Sequence, residues 1–156
     1  MVNPLSFIGS GLLRGLICAV LAQGVGWGVA TVYRAIDGDS AAVLGAGLIA
    51  FATLLLIAGL WGVLDGRRRP DGVVAHGLTW LVAGAVAGVS MVIWIAVMDG
   101  AFADGFDATV LLSDLVSVAP LICGLTAVPG FVGSLLGSTR SRLPATRSSS
   151  KARWPD

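Results

Sequence analysis

Residues 41–69 read AAVLGAGLIAFATLLLIAGLWGVLDGRRR. The first 24 carry no charge, and Asp65 and three consecutive arginines, Arg67, Arg68 and Arg69, close the stretch. Crossing the hydrocarbon core of a bilayer takes roughly 20 apolar residues. The segment is therefore long enough to span, with a cationic stop at its end. Inside lipid every backbone N–H and C=O must be paired within the segment, so the span is a helix. There is no alternation of polar and apolar residues with period two, which excludes a membrane β-barrel.

Three more blocks of the same kind flank it. The four expected spans are 15–32, 41–64, 77–98 and 115–137. They fill most of a 156-residue chain that is 56% hydrophobic and 12% charged, with mean hydropathy +0.89. Soluble domains carry about 25% charged residues. The composition excludes a soluble globular domain, a disordered chain and a nucleic-acid binder. The short connections leave no room for a folded soluble domain. Residues 138–156, rich in Ser, Thr, Arg and Pro, are expected to form a disordered basic tail. The apolar run after Arg14 is long for a signal-peptide core and has no A-x-A site, so it is read as a retained first span.

Charge gives direction. Arg14, Arg67, Arg68, Arg69 and the five basic residues of the tail fall on one side of a four-span topology, with only Arg34 on the other. The positive-inside rule places both termini in the cytoplasm. The expected fold class is an all-α membrane protein, a four-helix up-down-up-down transmembrane bundle in a bacterial plasma membrane. Trp61 and Trp80 at one end, and Trp27, Tyr33 and Trp94 at the other, are expected to form interfacial belts.

Small residues at four-residue spacing mark faces where helices can close. They include Gly24-x-x-x-Gly28, Ala58-x-x-x-Gly62, Gly84-x-x-x-Gly88, Thr126-x-x-x-Gly130-x-x-x-Ser134 and Gly133-x-x-x-Gly137. Short links make consecutive helices the expected neighbours. Pro120 and Pro129 predict a kink in span four.

Polar residues at membrane depth are costly and few. Gln23 sits mid-way along span one, as either an interhelical hydrogen bond or a contact in a solute pathway. Asp114 lies near the outer edge of span four, as either a wet interfacial carboxylate or a proton- or cation-binding one. Arg14 lies one turn inside the inner edge and can reach water. Asp65 can pair with Arg67–Arg69 or with Arg14. His76 opens span three, and a lone His is weak evidence for a metal or a proton relay. Cys18 and Cys123 both lie in apolar blocks, where a small apolar role is expected and a disulfide is not. No phosphate-cradling loop, zinc spacing or nucleophile–base motif is present, so neither an enzyme nor a bound cofactor is expected.

The chain resembles a group of small actinobacterial four-span proteins regarded as drug/metabolite-transporter-like. The resemblance runs through Leu13-Arg14-Gly15-Leu16, Trp61-Gly62-Val63-Leu64-Asp65-Gly66-Arg67, Leu78-Thr79-Trp80-Leu81, Ala83-Gly84-Ala85-Val86-Ala87-Gly88 and Pro129-x-x-x-Gly133-x-x-x-Gly137. It covers about residues 12–137, and Asp114 matches an acidic position of the group. Val82 stands where members often carry Lys, and the 67–69 loop is short and basic where theirs is longer and acidic. Span one lacks the Glu on which small multidrug exporters rely. The resemblance implies a transporter of a small organic solute. The polar groups at membrane depth put Asp114 and Gln23 on any pathway, and four thin helices enclose so little volume that a homo-oligomer is expected. The alternative is a structural or accessory subunit of a larger envelope complex, its glycine faces packed against a membrane partner.

Overall fold

The computed structural model describes residues 4–37, 41–68, 72–98 and 108–141. They form four helices: α1 (Pro4–Asp37), α2 (Ala41–Arg68), α3 (Val73–Met98) and α4 (Ala108–Ser141). No strand occurs among the described residues. All four helices are long and apolar enough to cross a membrane. Their outer faces carry exposed Leu13, Val20, Leu56, Leu60, Leu81, Val116 and Val128. Water does not favour such a surface and acyl chains do, so the architecture is that of a multi-pass integral membrane protein.

Every helix outruns its expected span, α1 and α4 at both ends and α2 and α3 at the ends joined by the 69–72 link. α1 and α4 have 34 residues each, or ~51 Å at 1.5 Å per residue, against a hydrocarbon core of ~30 Å. Helix α4 also continues past the expected boundary at Gly137, to Ser141. The Ser138 and Thr139 hydroxyls bond the Leu135 and Leu136 carbonyls, and Ser138 is buried. The tail expectation from residue 142 onward lies outside the described residues. Pro120 and Pro129 both lie inside α4, which stays one continuous helix.

The helices alternate in direction. Gly62 faces Gly130 and Gly66 faces Ser134, so α2 and α4 run parallel. Gly84 faces Cys123 and Gly88 faces Ala119, so α3 and α4 run antiparallel. Around the bundle the order is α1, α2, α4, α3. Helices α2 and α3, although consecutive, therefore lie on a diagonal, which corrects the expectation that sequential helices are neighbours. The four residues between them can reach ~13 Å, enough to cross a tightly packed bundle. The end that carries the start of α1, the α2–α3 link and the finish of α4 is called the terminal end below.

Helix α4 is seated by glycine. A β-carbon at Gly62, Gly66, Gly133 or Gly137 would meet the backbone carbonyl of Gly130, Ser134, Gly59 or Val63 across the α2–α4 seam. Only glycine allows backbones this close. The Gly84 and Gly88 faces do the same toward α4. Among the described residues nothing lies within 4 Å of a β-carbon built at Gly24 or Gly28. Helix α3 is held away from that part of α1, for the reason given next.

Candidate functional site

Helices α1 and α3 run side by side, touching at the terminal end and parting at the other. The cause is a size gradient along α1. Its row of residues at four-residue spacing reads Gly11, Gly15, Ala19, Gln23, Trp27. Gly11 lies against Val82 and the Thr79 carbonyl, and Gly15 against Val86 and the Ala83 carbonyl. Further along, Gln23 reaches Met91, its Nε2 donating to Sδ at 2.6 Å. The facing stretch of α3 also grows, from Ala83 and Ala87 to Met91, Trp94 and Met98. Helices in contact sit about 8–10 Å apart, depending on the side chains between them. Small residues at one end and large ones at the other make a wedge.

The wedge encloses a cleft of about 430 Å³. Ala19, Val20, Gln23, Gly24 and Trp27 form one wall, and Ser90, Trp94 and Met98 the other. It is half-enclosed and opens sideways, where Val20 and Trp27 are more than 60% exposed. Behind it lies the core: Cys18, Ala19, Ala22, Leu54, Ala87, Met91 and Ile122. Among the described residues, no charged side chain lines the cleft. Its polar groups are the Gln23 amide and the Ser90 hydroxyl, set in an otherwise apolar and aromatic wall. A primary amide offers two donors and an acceptor, so Gln23 has capacity beyond its bond to Met91.

Toward the terminal end, one residue from each helix joins a second polar cluster. Arg14 of α1 meets Asp65 of α2 through both carboxylate oxygens. Nη1 lies 2.6 Å from Oδ2, and Nη2 donates to Oδ1 at 3.1 Å. The Nη1–Oδ2 approach is an ion-pair contact rather than an aligned hydrogen bond, and Oδ2 is fully buried. The two side chains are 17% and 11% exposed. The Arg14 guanidinium also lies 5.7 Å from the centre of the Trp80 ring of α3, within reach of a cation–π interaction. Trp80 Nε1 donates to Ser134 Oγ of α4 at 3.1 Å, and the Ser134 hydroxyl donates to the Gly130 carbonyl at 2.9 Å.

No protein-family model, curated protein or solved structure matches this chain. The site must be judged on its own geometry.

Gln23 is in the cleft and Asp114 is not. Asp114 is half-buried in the early turns of α4, the helix diagonal to α1. The structure does not bring the two pathway candidates together. Arg67 and Arg68 are exposed at the end of α2, and Arg69 lies outside the described residues. Asp65 is paired with Arg14, the more distant in sequence of the two partners open to it. His76 lies in the first turn of α3, its backbone N–H bonded to the Gly72 carbonyl at 3.0 Å. Cys18 and Cys123 are both free thiols, Cys18 fully buried.

Trp80 corrects the aromatic belt. It is fully buried between α1 and α4, while Trp27 and Trp94 remain on the exposed outer half. The signal that could have moved it inward was Gly130, whose missing side chain leaves the space the indole ring fills. Ser90, Trp94 and Met98 were also missed as cleft residues, because which face of α3 meets α1 is set by packing rather than by any local pattern.

Proposed function

We propose that the chain is a small transporter of the bacterial plasma membrane, acting on an uncharged amphipathic organic solute held between α1 and α3. The observation that carries this reading is the cleft. Its volume falls in the roughly 300–1,000 Å³ range of small-molecule sites, and like them it is lined mainly by apolar and aromatic side chains, with Gln23 and Ser90 among its lining residues. The absence of charge from its lining favours a neutral solute, since a buried ion would find no counter-charge there. The sideways opening favours entry from the bilayer. An apolar body would lie between Trp27 and Trp94, with a hydrogen-bonding group at Gln23 or Ser90. The resemblance to four-span transporter-like proteins agrees with this reading, as does the arginine distribution that favours cytoplasmic termini.

Gln23→Ala is expected to weaken solute binding about three- to tenfold, the loss of one hydrogen bond worth ~1 kcal/mol. Asp114→Asn is expected to leave binding unchanged. Equilibrium binding of tritiated alkyl glucosides and aryl alkanols to the purified protein measures both. Equal affinities in wild type and Gln23→Ala would remove Gln23 from the site.

One observation favours a second reading, that of an accessory subunit. Gly24, at the cleft wall, and Gly28, one turn further along α1, present open backbone where a neighbouring helix could seat. Purification in mild detergent separates the two. A larger partner in fixed stoichiometry supports the accessory role, and a homo-oligomer alone supports transport.

A further inference from the structure

We propose that the Arg14–Asp65 pair is a releasable latch for the transport cleft, holding the terminal end of α1 closed against α2 and α3 while the cleft stands open. The proposal rests on the solute reading above for its purpose, but its geometry stands independently. Helix α1 is joined to the bundle in an uneven way. Helices α2, α3 and α4 are knit by backbone-level contacts through Gly62, Gly66, Gly84, Gly88, Gly133 and Gly137. Between α1 and α3 such contacts exist only at Gly11 and Gly15, on the terminal side of the cleft. The structure therefore shows α1 shut at one end and open at the other, with the buried Cys18–Ala22 turn between the two.

The latch sits at the shut end. Asp65 on α2 grips the Arg14 fork at two points, and Trp80 on α3 supports the guanidinium face. Ser134 on α4 in turn holds the Trp80 ring in place. Three helices thus fix one side chain of the fourth. A carboxylate and a guanidinium, each mostly buried, hold strongly only while paired. Once apart, Arg14 can extend toward water at the terminal end. The contacts beneath it, at Gly11 and Gly15, are few beside the six glycine contacts that knit α2, α3 and α4. With the latch released, α1 can rock about Ala22. The terminal end then parts from α3 and the cleft walls come together, which would carry a bound solute from one exposure to the other.

Native Cys18 reports on the motion. It is fully buried one turn to the terminal side of the pivot and one turn beyond Arg14. The test measures the labelling rate of Cys18 by a water-soluble maleimide in a Cys123→Ser protein. A companion measurement follows Ser90→Cys, in the cleft wall, with both native cysteines changed to Ser. Asp65→Asn is the latch variant, since Asn keeps the shape and can still bond Arg14. A shift in the two-state population is expected to raise Cys18 labelling about tenfold and to slow Ser90→Cys labelling about threefold or more. The reciprocal pattern is the signature. Rates that do not change would overturn the latch. So would rates that rise together, which mean general loosening, or a rise at Cys18 alone. No solute is used, so failure of the latch leaves solute binding to be judged separately. Reciprocal labelling without any solute binding would instead overturn the transport reading alone.

Discussion

Changing Gly66 to alanine is expected to destabilise the bundle by about 3 kcal/mol or more, the upper range for overpacking. The new methyl would collide with the Ser134 carbonyl and lie 2.9 Å from the Ser138 nitrogen. Both are backbone atoms of a continuous helix, so no side-chain rotation can relieve the clash. The neighbouring contacts at Gly62, Gly133 and Gly137 are equally tight, so α4 cannot slide to make room. Gly24→Ala is the control. That position faces open space, and in a helix interior alanine is favoured over glycine by roughly 0.5–1 kcal/mol. Unfolding midpoints in a detergent titration should fall sharply for Gly66→Ala and stay level or rise for Gly24→Ala. Equal midpoints would mean that the α2–α4 seam is not formed as described.

The second large effect concerns the buried pair. Arg14→Ala is expected to cost about 3–5 kcal/mol, because it leaves the Asp65 carboxylate in an apolar setting without its cation. The double change Arg14→Met with Asp65→Leu should cost far less, and could be neutral, since it removes both desolvation penalties together. The same titration distinguishes the two. If the double variant is as unstable as Arg14→Ala, then packing of the arginine stem against Trp80, rather than charge, holds that corner. If Arg14→Ala is as stable as wild type, Asp65 is wet and the latch has no buried charge to work with.

The helices were legible in the sequence because membrane spanning is a matter of length and apolarity, and both are local. The seam on α4 was legible as well: Thr126, Gly130 and Ser134 lie on one row, and Gly133 and Gly137 on another. The partners of those rows were not. Gly62-x-x-x-Gly66 is as clear a motif as Gly24-x-x-x-Gly28, yet only the first meets another helix within the chain. What separates them is the size of the residues around them. Gln23 and Trp27 hold α3 away from Gly24, while Gly59 and Val63 let α4 approach Gly62 and Gly66. For the same reason the cleft could not be read in advance. Gln23 stood out because a polar side chain at mid-span is rare. Trp94, Ser90 and Met98 join it only through the wedge between two helices that are not adjacent in sequence. The diagonal placement of α2 and α3 was hidden too, since a short link constrains distance and not neighbourhood.

The most direct test of the solute reading is flux of uncharged amphiphiles into proteoliposomes, wild type against Gly24→Trp. Gly24 lines the cleft and nothing lies within 4 Å of a β-carbon built there, so a side chain at this position starts in open space at the cavity wall. Alkyl glucosides below lytic concentration are suitable probes, because their polar heads slow unaided crossing. Protein-dependent flux in wild type, reduced tenfold or more in Gly24→Trp at an unchanged unfolding midpoint, is the expected result; a tenfold change is about 1.4 kcal/mol. Flux equal in the two proteins, or no higher than in protein-free vesicles across the series, would contradict a transport role for the α1–α3 cleft.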